Sequence, residues 1–371
     1  MEFVQERITT LHDFGEVNPT VALDSVAVVV PIAGADTDRA SVRRTLRIAA
    51  RHEPGAIVLP VRGDRAAARR VQTIADDLPV ATAVIWCNAP EMEDLLSTAG
   101  IDPSGAKGFD VWLGLAVATA EHEHVVVHDA DATSYTHQHL PRLVWPLTHG
   151  HSFVKAYYAR VEQNQLYGRL LRLFWSPLVA AIDAEYDAPV IDYLSAFRYP
   201  LAGEFAMTAS VAQSMSLPRE FGLEIGVLGE SHRVAGEREA AQVDLGWHRH
   251  DHRPVTGPNG LVPMARAIAG TIEAVLDADD IPIDLAELQP EYRARANRLI
   301  EQYAADADFN GLAHEEADER NQVDQYAQVL IDPDHPEWLP PLSSVSFDVE
   351  EVRAAGAPAR SRALDTTREM N

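Results

Sequence analysis

A single cysteine, Cys87, stands in a chain of 371 residues. One thiol cannot close an intrachain disulfide, so nothing here asks for an oxidising compartment. Lysine is nearly as scarce. Lys107 and Lys155 are the only two, and arginine supplies the rest of the 31 basic side chains. Positive charge is outnumbered by 56 acidic residues, which leaves a formal net charge of −25. Nucleic acid demands a basic face to neutralise its phosphates, so that partner class is disfavoured. Also missing is any apolar run of about 18 residues, the length that spans a bilayer. The nearest approach, 170–182, is interrupted by Arg172 and Pro177 and reads as a core helix, or as an interfacial one. Residues 1–20 are polar and acidic, with no apolar signal segment, so the chain reads as a soluble cytoplasmic protein.

What is present suffices for a large folded body. The apolar fraction of 46% fills a core. The acids are spread along the chain rather than clustered, which fits a salt-adapted surface better than a dedicated acidic docking face. Short β-branched runs alternate with helical spacing through the first half. Strands are expected at Val26–Pro31, Ala56–Val61, Val80–Trp86 and Val125–His128, with helices at Arg39–Arg51, Asp64–Asp77, Glu91–Ala99 and, amphipathic, Gly108–Ala120. That alternation implies parallel pairing, with ligands collecting at the carboxyl ends of the strands. Further strands are expected at Phe153–Tyr158 and Phe205–Thr208, an extended segment at Gln242–His250, and helices at Leu166–Ile182, Ala209–Ser214, 262–277, Leu285–Ala304 and Asn321–Ile331.

Chemistry concentrates at His128-Asp129-Ala130-Asp131. Two carboxylates at i and i+2, at the end of a buried strand, hold a hard divalent cation, and such a cation grips a diphosphate. A turn-capping role is the plainer reading of either acid alone. His248, His250 and His252 alternate, so on a strand they share one face, and one imidazole could complete a metal site begun by Asp131. Gly203-Glu204 and Glu224, flanked by Gly222 and Gly226, each pair close backbone approach with a carboxylate able to bond sugar hydroxyls. Lys107, after Ser104-Gly105 and at a helix start, suits a diphosphate. Lys155, Arg160 and Arg169 are candidates for an anionic acceptor. There is no Walker loop, no Gly-x-Gly-x-x-Gly and no Gly-x-Ser-x-Gly elbow.

The order of these motifs resembles glycosyltransferase family 81, the retaining GT-A glucosyl-3-phosphoglycerate and mannosyl-3-phosphoglycerate synthases. The resemblance rests on Val28–Pro31, Lys107-Gly108, Asp129-Ala130-Asp131, Val154–Tyr158, Gly168-Arg169, Pro200–Glu204, Phe221–Gly226 and Gln242–His250, and covers roughly 24–275. It implies an α/β GT-A fold, Rossmann-like, with a mostly parallel central sheet, flanking helices and a C-terminal helical extension. It implies Mg²⁺ or Mn²⁺ held by Asp131 and His250, with Asp129 against the donor. Pro31 and Lys107 would border the nucleotide and diphosphate. Gly203 and Glu204 would hold the sugar, and Glu224 would lie near the reacting hydroxyl. Arg169 and His252 would face the acceptor. A homodimer is implied as well. The family's acidic residue just after the first-strand proline is replaced here by Ala33-Gly34-Ala35, and its Val-Thr after Gly-Arg by Leu170-Leu171.

The domain organisation expected is an N-terminal extension at 1–20, the GT-A domain at 21–278, a helical extension at 279–345 and a loosely ordered tail at 346–371. The activity expected is metal-dependent, retaining transfer of glucose or mannose from a nucleotide sugar to 3-phosphoglycerate, whose product would serve as a compatible solute. Two alternatives stay open: the same chemistry on a lipid or glycan acceptor, and a sugar-nucleotide-binding protein without turnover.

Overall fold

The structure is a computed structural model and describes residues 5–15, 17–249 and 260–358. Among these, nine strands make one sheet: β1 Thr9–Leu11, β2 Val26–Val29, β3 Ile32–Ala33, β4 Ala56–Arg62, β5 Thr82–Trp86, β6 His124–Val127, β7 Phe153–Ala159, β8 Phe205–Thr208 and β9 Ala240–Trp247. Across the sheet they run β1-β9-β7-β8-β6-β2-β4, and β4 pairs further with β5 and, at its carboxyl end, with β3. Every pairing is parallel except those of β8, which is antiparallel to both β6 and β7. This is the mostly parallel α/β sheet expected.

The central strands read as unbroken apolar runs because helices cover both faces. Within β2, Ala27 and Val29 enter one core while Val26 and Val28 enter the other, and β6 splits its valines the same way. Helices Ala40–Ala50, Arg65–Asp76 and His139–Val144 pack on one face. The other face carries Lys107–Ala118, Ser176–Glu185, Pro189–Ala196, Leu223–Val234 and Leu261–Asp277.

Four expectations need correction. The helix Lys107–Ala118 is not amphipathic: Gly108 through Ala118 are all buried. The C-terminal segment covers its outer side, where Trp112 Nε1 donates to the Pro340 carbonyl at 2.9 Å and meets Phe347 edge-on. The helix expected at Leu166–Ile182 starts at Arg169 and widens into a π-turn, Leu171–Trp175, before Ser176–Glu185 becomes α-helical. Ser176 donates back five residues to Leu171, and Pro177 has no N–H to give. The Tyr292 hydroxyl serves the Leu173 carbonyl instead, at 2.7 Å. At the N-terminus, Thr9–Leu11 forms an edge strand on β9 instead of lying outside the domain. At the other end, Val349–Ala355 is a helix with a capping box between Asp348 and Glu351, not a loose tail. Gly356 accepts from Trp86 N at 2.7 Å, which ties this end to β5.

The helices Gln289–Phe309 and Glu316–Val329 share the larger core: Tyr292, Ile300, Val323 and Tyr326 are buried in it with residues of the sheet. Among the described residues no helix is long and apolar enough to cross a membrane.

Candidate active site

The end of β6, the start of β8 and the starts of two helices meet at one point. His128 extends β6, its N–H donating to the Val29 carbonyl at 3.0 Å, and the chain then turns out at Asp129. β8 runs against β6 with Phe205 opposite Val127, so Gly203 is carried to Asp129. A β-carbon at Gly203 would overlap Asp129 Oδ2, so the carboxylate keeps this place only against a glycine.

Lys107 opens the helix Lys107–Ala118 and is delivered by a strapped loop. Arg219 donates to the carbonyls of Asp102, at 2.6 Å, and Ser104, and its own carbonyl accepts from Phe109 N at 2.9 Å. A β-carbon at Gly108 would overlap the Pro218 carbonyl, so the helix start sits tight against this strap. The Lys107 ammonium lies 2.6 Å from Asp129 Oδ1 and 2.9 Å from Glu224 Oε1. Burial alone would lower its pKa; Asp129 and Glu224 outweigh burial and raise it, so the ammonium stays charged. Glu224 stands in the first turn of Leu223–Val234, behind the left-handed Gly222 (φ 96°), where a β-carbon would overlap Thr271 Oγ1.

Around this bridge negative charge is in excess. Glu204 is 1% exposed, and neither carboxylate oxygen has a hydrogen-bond partner. Burial, and then the charge of Asp129, push its pKa up to about 8. Asp131 is raised for the same two reasons, with Asp36 adding to the repulsion and Lys107 opposing it. Asp36 was not singled out in the sequence. It sits five residues past Pro31, directly after Ala33-Gly34-Ala35. Pro31 itself is half-buried at the end of β2.

Lys155 is corrected as an acceptor ligand. It is 0% exposed, and its Nζ donates to the Ala202 carbonyl at 2.6 Å and lies over the Phe205 ring. An ammonium closed off in this way holds the 200–204 turn from below. Burial lowers its pKa to about 8, although Glu224 and Glu204 pull it upward.

The histidines part company. His128 is buried, with Nε2 3.2 Å from Tyr135 Oη, and burial holds it neutral at a pKa of about 3. His248 stacks on Tyr158 with ring centroids 4.0 Å apart. His250 and His252 lie outside the described residues. The last residue before them, Arg249, is stitched to the loop after Asp131. Its carbonyl accepts from Thr133 N at 2.8 Å, and its N–H donates to Ser134 Oγ at 2.9 Å. Arg169, half-buried behind Gly168 (φ 78°), stands in the first helical turn before Leu171–Trp175 and lies near Tyr326 rather than among the carboxylates.

Among the described residues no group of three or more His, Cys, Asp or Glu side chains is set to hold a metal ion. The donor chemistry nonetheless fits one. Asp129, Asp131, Glu204 and Glu224 crowd around the Lys107 and Lys155 ammonium groups, and Asp131 and Glu204 are shifted upward first by burial and then by the charge of Asp129.

No protein-family model matches the chain. A glucosyl-3-phosphoglycerate synthase of Methanococcoides burtonii is 30% identical over 382 aligned positions, spanning 93% of this chain and 95% of that one. The protein of that name from Persephonella marina is 32% identical over 278 positions, 71% of this chain and 69% of that one. In three dimensions the chain is similar to the Mycobacterium tuberculosis glucosyl-3-phosphoglycerate synthase solved with Mn²⁺, UDP and phosphoglyceric acid. The TM-score is 0.55 at 22% identity, over 74% of this chain and 87% of that one. The same protein with Mg²⁺ and UDP gives 0.56, over 75% and 89%. The likeness in structure shows the GT-A fold.

Proposed function

Since the chain belongs to the glucosyl-3-phosphoglycerate synthase family, we propose that it transfers glucose from a nucleotide-diphosphate donor to 3-phosphoglycerate with retention of configuration. One observation carries this reading. Lys107 is held between Asp129 and Glu224 while the buried carboxylate of Glu204 beside them has no partner of its own. A buried acceptor group left unpaired is costly unless a ligand completes it, and sugar hydroxyls are donors of the right kind.

In this reading Asp131 and His250 hold Mg²⁺ or Mn²⁺, with Asp129 beside the donor. Support for His250 is the tie between Arg249 and the Thr133-Ser134 loop, two residues beyond Asp131. The ion supplies charge stabilisation to the departing diphosphate. Lys107 and Pro31 border that diphosphate, and Gly203 and Glu204 seat the sugar. Glu224 faces the reacting hydroxyl, and Arg169 and His252 meet the acceptor's anionic groups. We take 21–278 as the catalytic domain and 279–345 as an extension packed on it, and place the reaction in the cytoplasm as a homodimer on family likeness. The apolar stretch 170–182, whose interfacial reading would favour a lipid acceptor, is core: Leu173, Phe174, Leu178 and Ile182 are buried.

The test offers UDP-glucose, GDP-glucose and GDP-mannose with Mg²⁺ or Mn²⁺, with and without 3-phosphoglycerate. Nucleoside diphosphate release only in the presence of the acceptor supports the proposal; release independent of it overturns the acceptor. Asp131→Ala is expected to cut metal-stimulated turnover on the order of 10³-fold, with the fold intact by circular dichroism. Normal turnover in that variant would put the ion elsewhere.

A further inference from the structure

The segment 160–172 carries two candidate acceptor arginines, Arg160 and Arg169. Its ribbon, Val161–Glu162 against Gln165–Leu166, is two residues a side around Gln163 and Asn164, both with positive φ. All of 160–169 is exposed or half-buried. A two-stranded ribbon of this size does not stand alone in water.

Its anchors come from the C-terminal helices. Arg172 closes the base of the ribbon, donating to the carbonyls of Tyr167 at 3.2 Å and Leu166 at 3.4 Å. Its guanidinium is buried and meets Glu319 with both nitrogens, at 2.7 and 3.4 Å, above the Tyr303 ring. His314 holds the same carboxylate at 3.0 Å. The tip is tied as well. The Asn164 carbonyl accepts from Ala313 N at 2.8 Å, and its side chain donates to the Gly311 carbonyl at 3.1 Å. A buried ion pair adds little stability over an apolar pair of the same volume, but it does fix geometry. The tip and the base of the ribbon are therefore both tied to residues 311–319, while Arg160 reaches the Tyr199 hydroxyl.

From this we propose that Glu319, acting through Arg172, is a positioning residue for the acceptor: the helices Gln289–Phe309 and Glu316–Val329 brace the segment 160–172, which carries Arg169 of the acceptor site with Arg160 beside it. This rests on the acceptor site assigned above. It gives the C-terminal extension a task in acceptor recognition, separate from donor and metal binding.

The experiment uses the full chain with Glu319→Ala, and Asn164→Gly as a variant that keeps the positive φ and leaves the core untouched. Steady-state kinetics are read with UDP-glucose and 3-phosphoglycerate, and amide hydrogen exchange with no ligand. Glu319→Ala is expected to raise the acceptor KM about tenfold, the size of one lost charge-assisted contact. The donor KM should move less than about twofold, and exchange should quicken in 160–172 but not in 102–131. Asn164→Gly should move the same two readouts in the same direction by a smaller factor. A folded Glu319→Ala with unchanged acceptor KM, or with both KM values raised alike, overturns the proposal. If that variant does not fold, unchanged exchange in Asn164→Gly does so. A wild-type protein that ignores 3-phosphoglycerate defeats the functional reading instead; exchange in 160–172 then decides the brace by itself.

Discussion

Gly203 makes room for the Asp129 carboxylate: a β-carbon on the glycine would stand 2.5 Å from the Asp129 Cγ. They reach that contact from antiparallel neighbours, β8 and β6, whose register is fixed by Phe205 against Val127. Neither segment can shift without the other.

Gly203→Ala therefore tests the site without touching a charge. The methyl group must push Asp129 away from Lys107, and a misplacement near 1 Å at a reacting centre costs on the order of 10²-fold. We expect kcat/KM to fall by about that factor, with a melting temperature close to the wild type. Activity within about threefold would mean that the Asp129 position is not critical.

Lys155 gives a pH test with a definite sign. Folded, it loses its proton near 8 because of burial; unfolded, it keeps it to its ordinary 10.5. Between those values unfolding takes up a proton, so stability rises with pH, by about 1.4 kcal/mol per unit at most. Below pH 8 both states are charged and no slope arises from this group. Lys155→Met removes the rise. Urea denaturation at pH 7.5 and 10 should show the wild type gaining about 2 kcal/mol on the variant between the two. An equal difference at both pH values would show that Lys155 stays charged.

Tyr292→Phe tests the π-turn. The variant leaves the Leu173 carbonyl without the hydroxyl that replaces the missing N–H of Pro177. An unpaired buried carbonyl costs about 1–3 kcal/mol. Chemical denaturation should show a loss in that range, whereas a loss under about 0.5 kcal/mol would mean that water or a relaxed turn takes over.

Where the sequence was legible, physics had left one option. Val125–Val127 must be a doubly covered strand, because three valines in a row cannot face water, and the acids after it then fall at a strand end. Lys107 stood out through scarcity and the glycine behind it. Scarcity misled at Lys155, because a run such as Phe153–Tyr158 does not tell which positions are sealed. The join of Lys107 to Glu224 spans 117 positions and exists only through the register of the sheet and the Arg219 strap. Thr9–Leu11 carries no strand pattern; it is extended because β9 offers an open edge. The helix Val349–Ala355 did carry a signal, the acid pair Asp348 and Glu351 at capping-box spacing.

The two-lysine economy has a chemical corollary. Lys155 is sealed, so apart from the terminal amine the primary amine within reach of solvent is Lys107, in the midst of the carboxylates. Its ammonium is held protonated by Asp129 and Glu224, so amine acylation, which needs the neutral amine, would be slow there, and faster labelling would report that a ligand had drawn those carboxylates away.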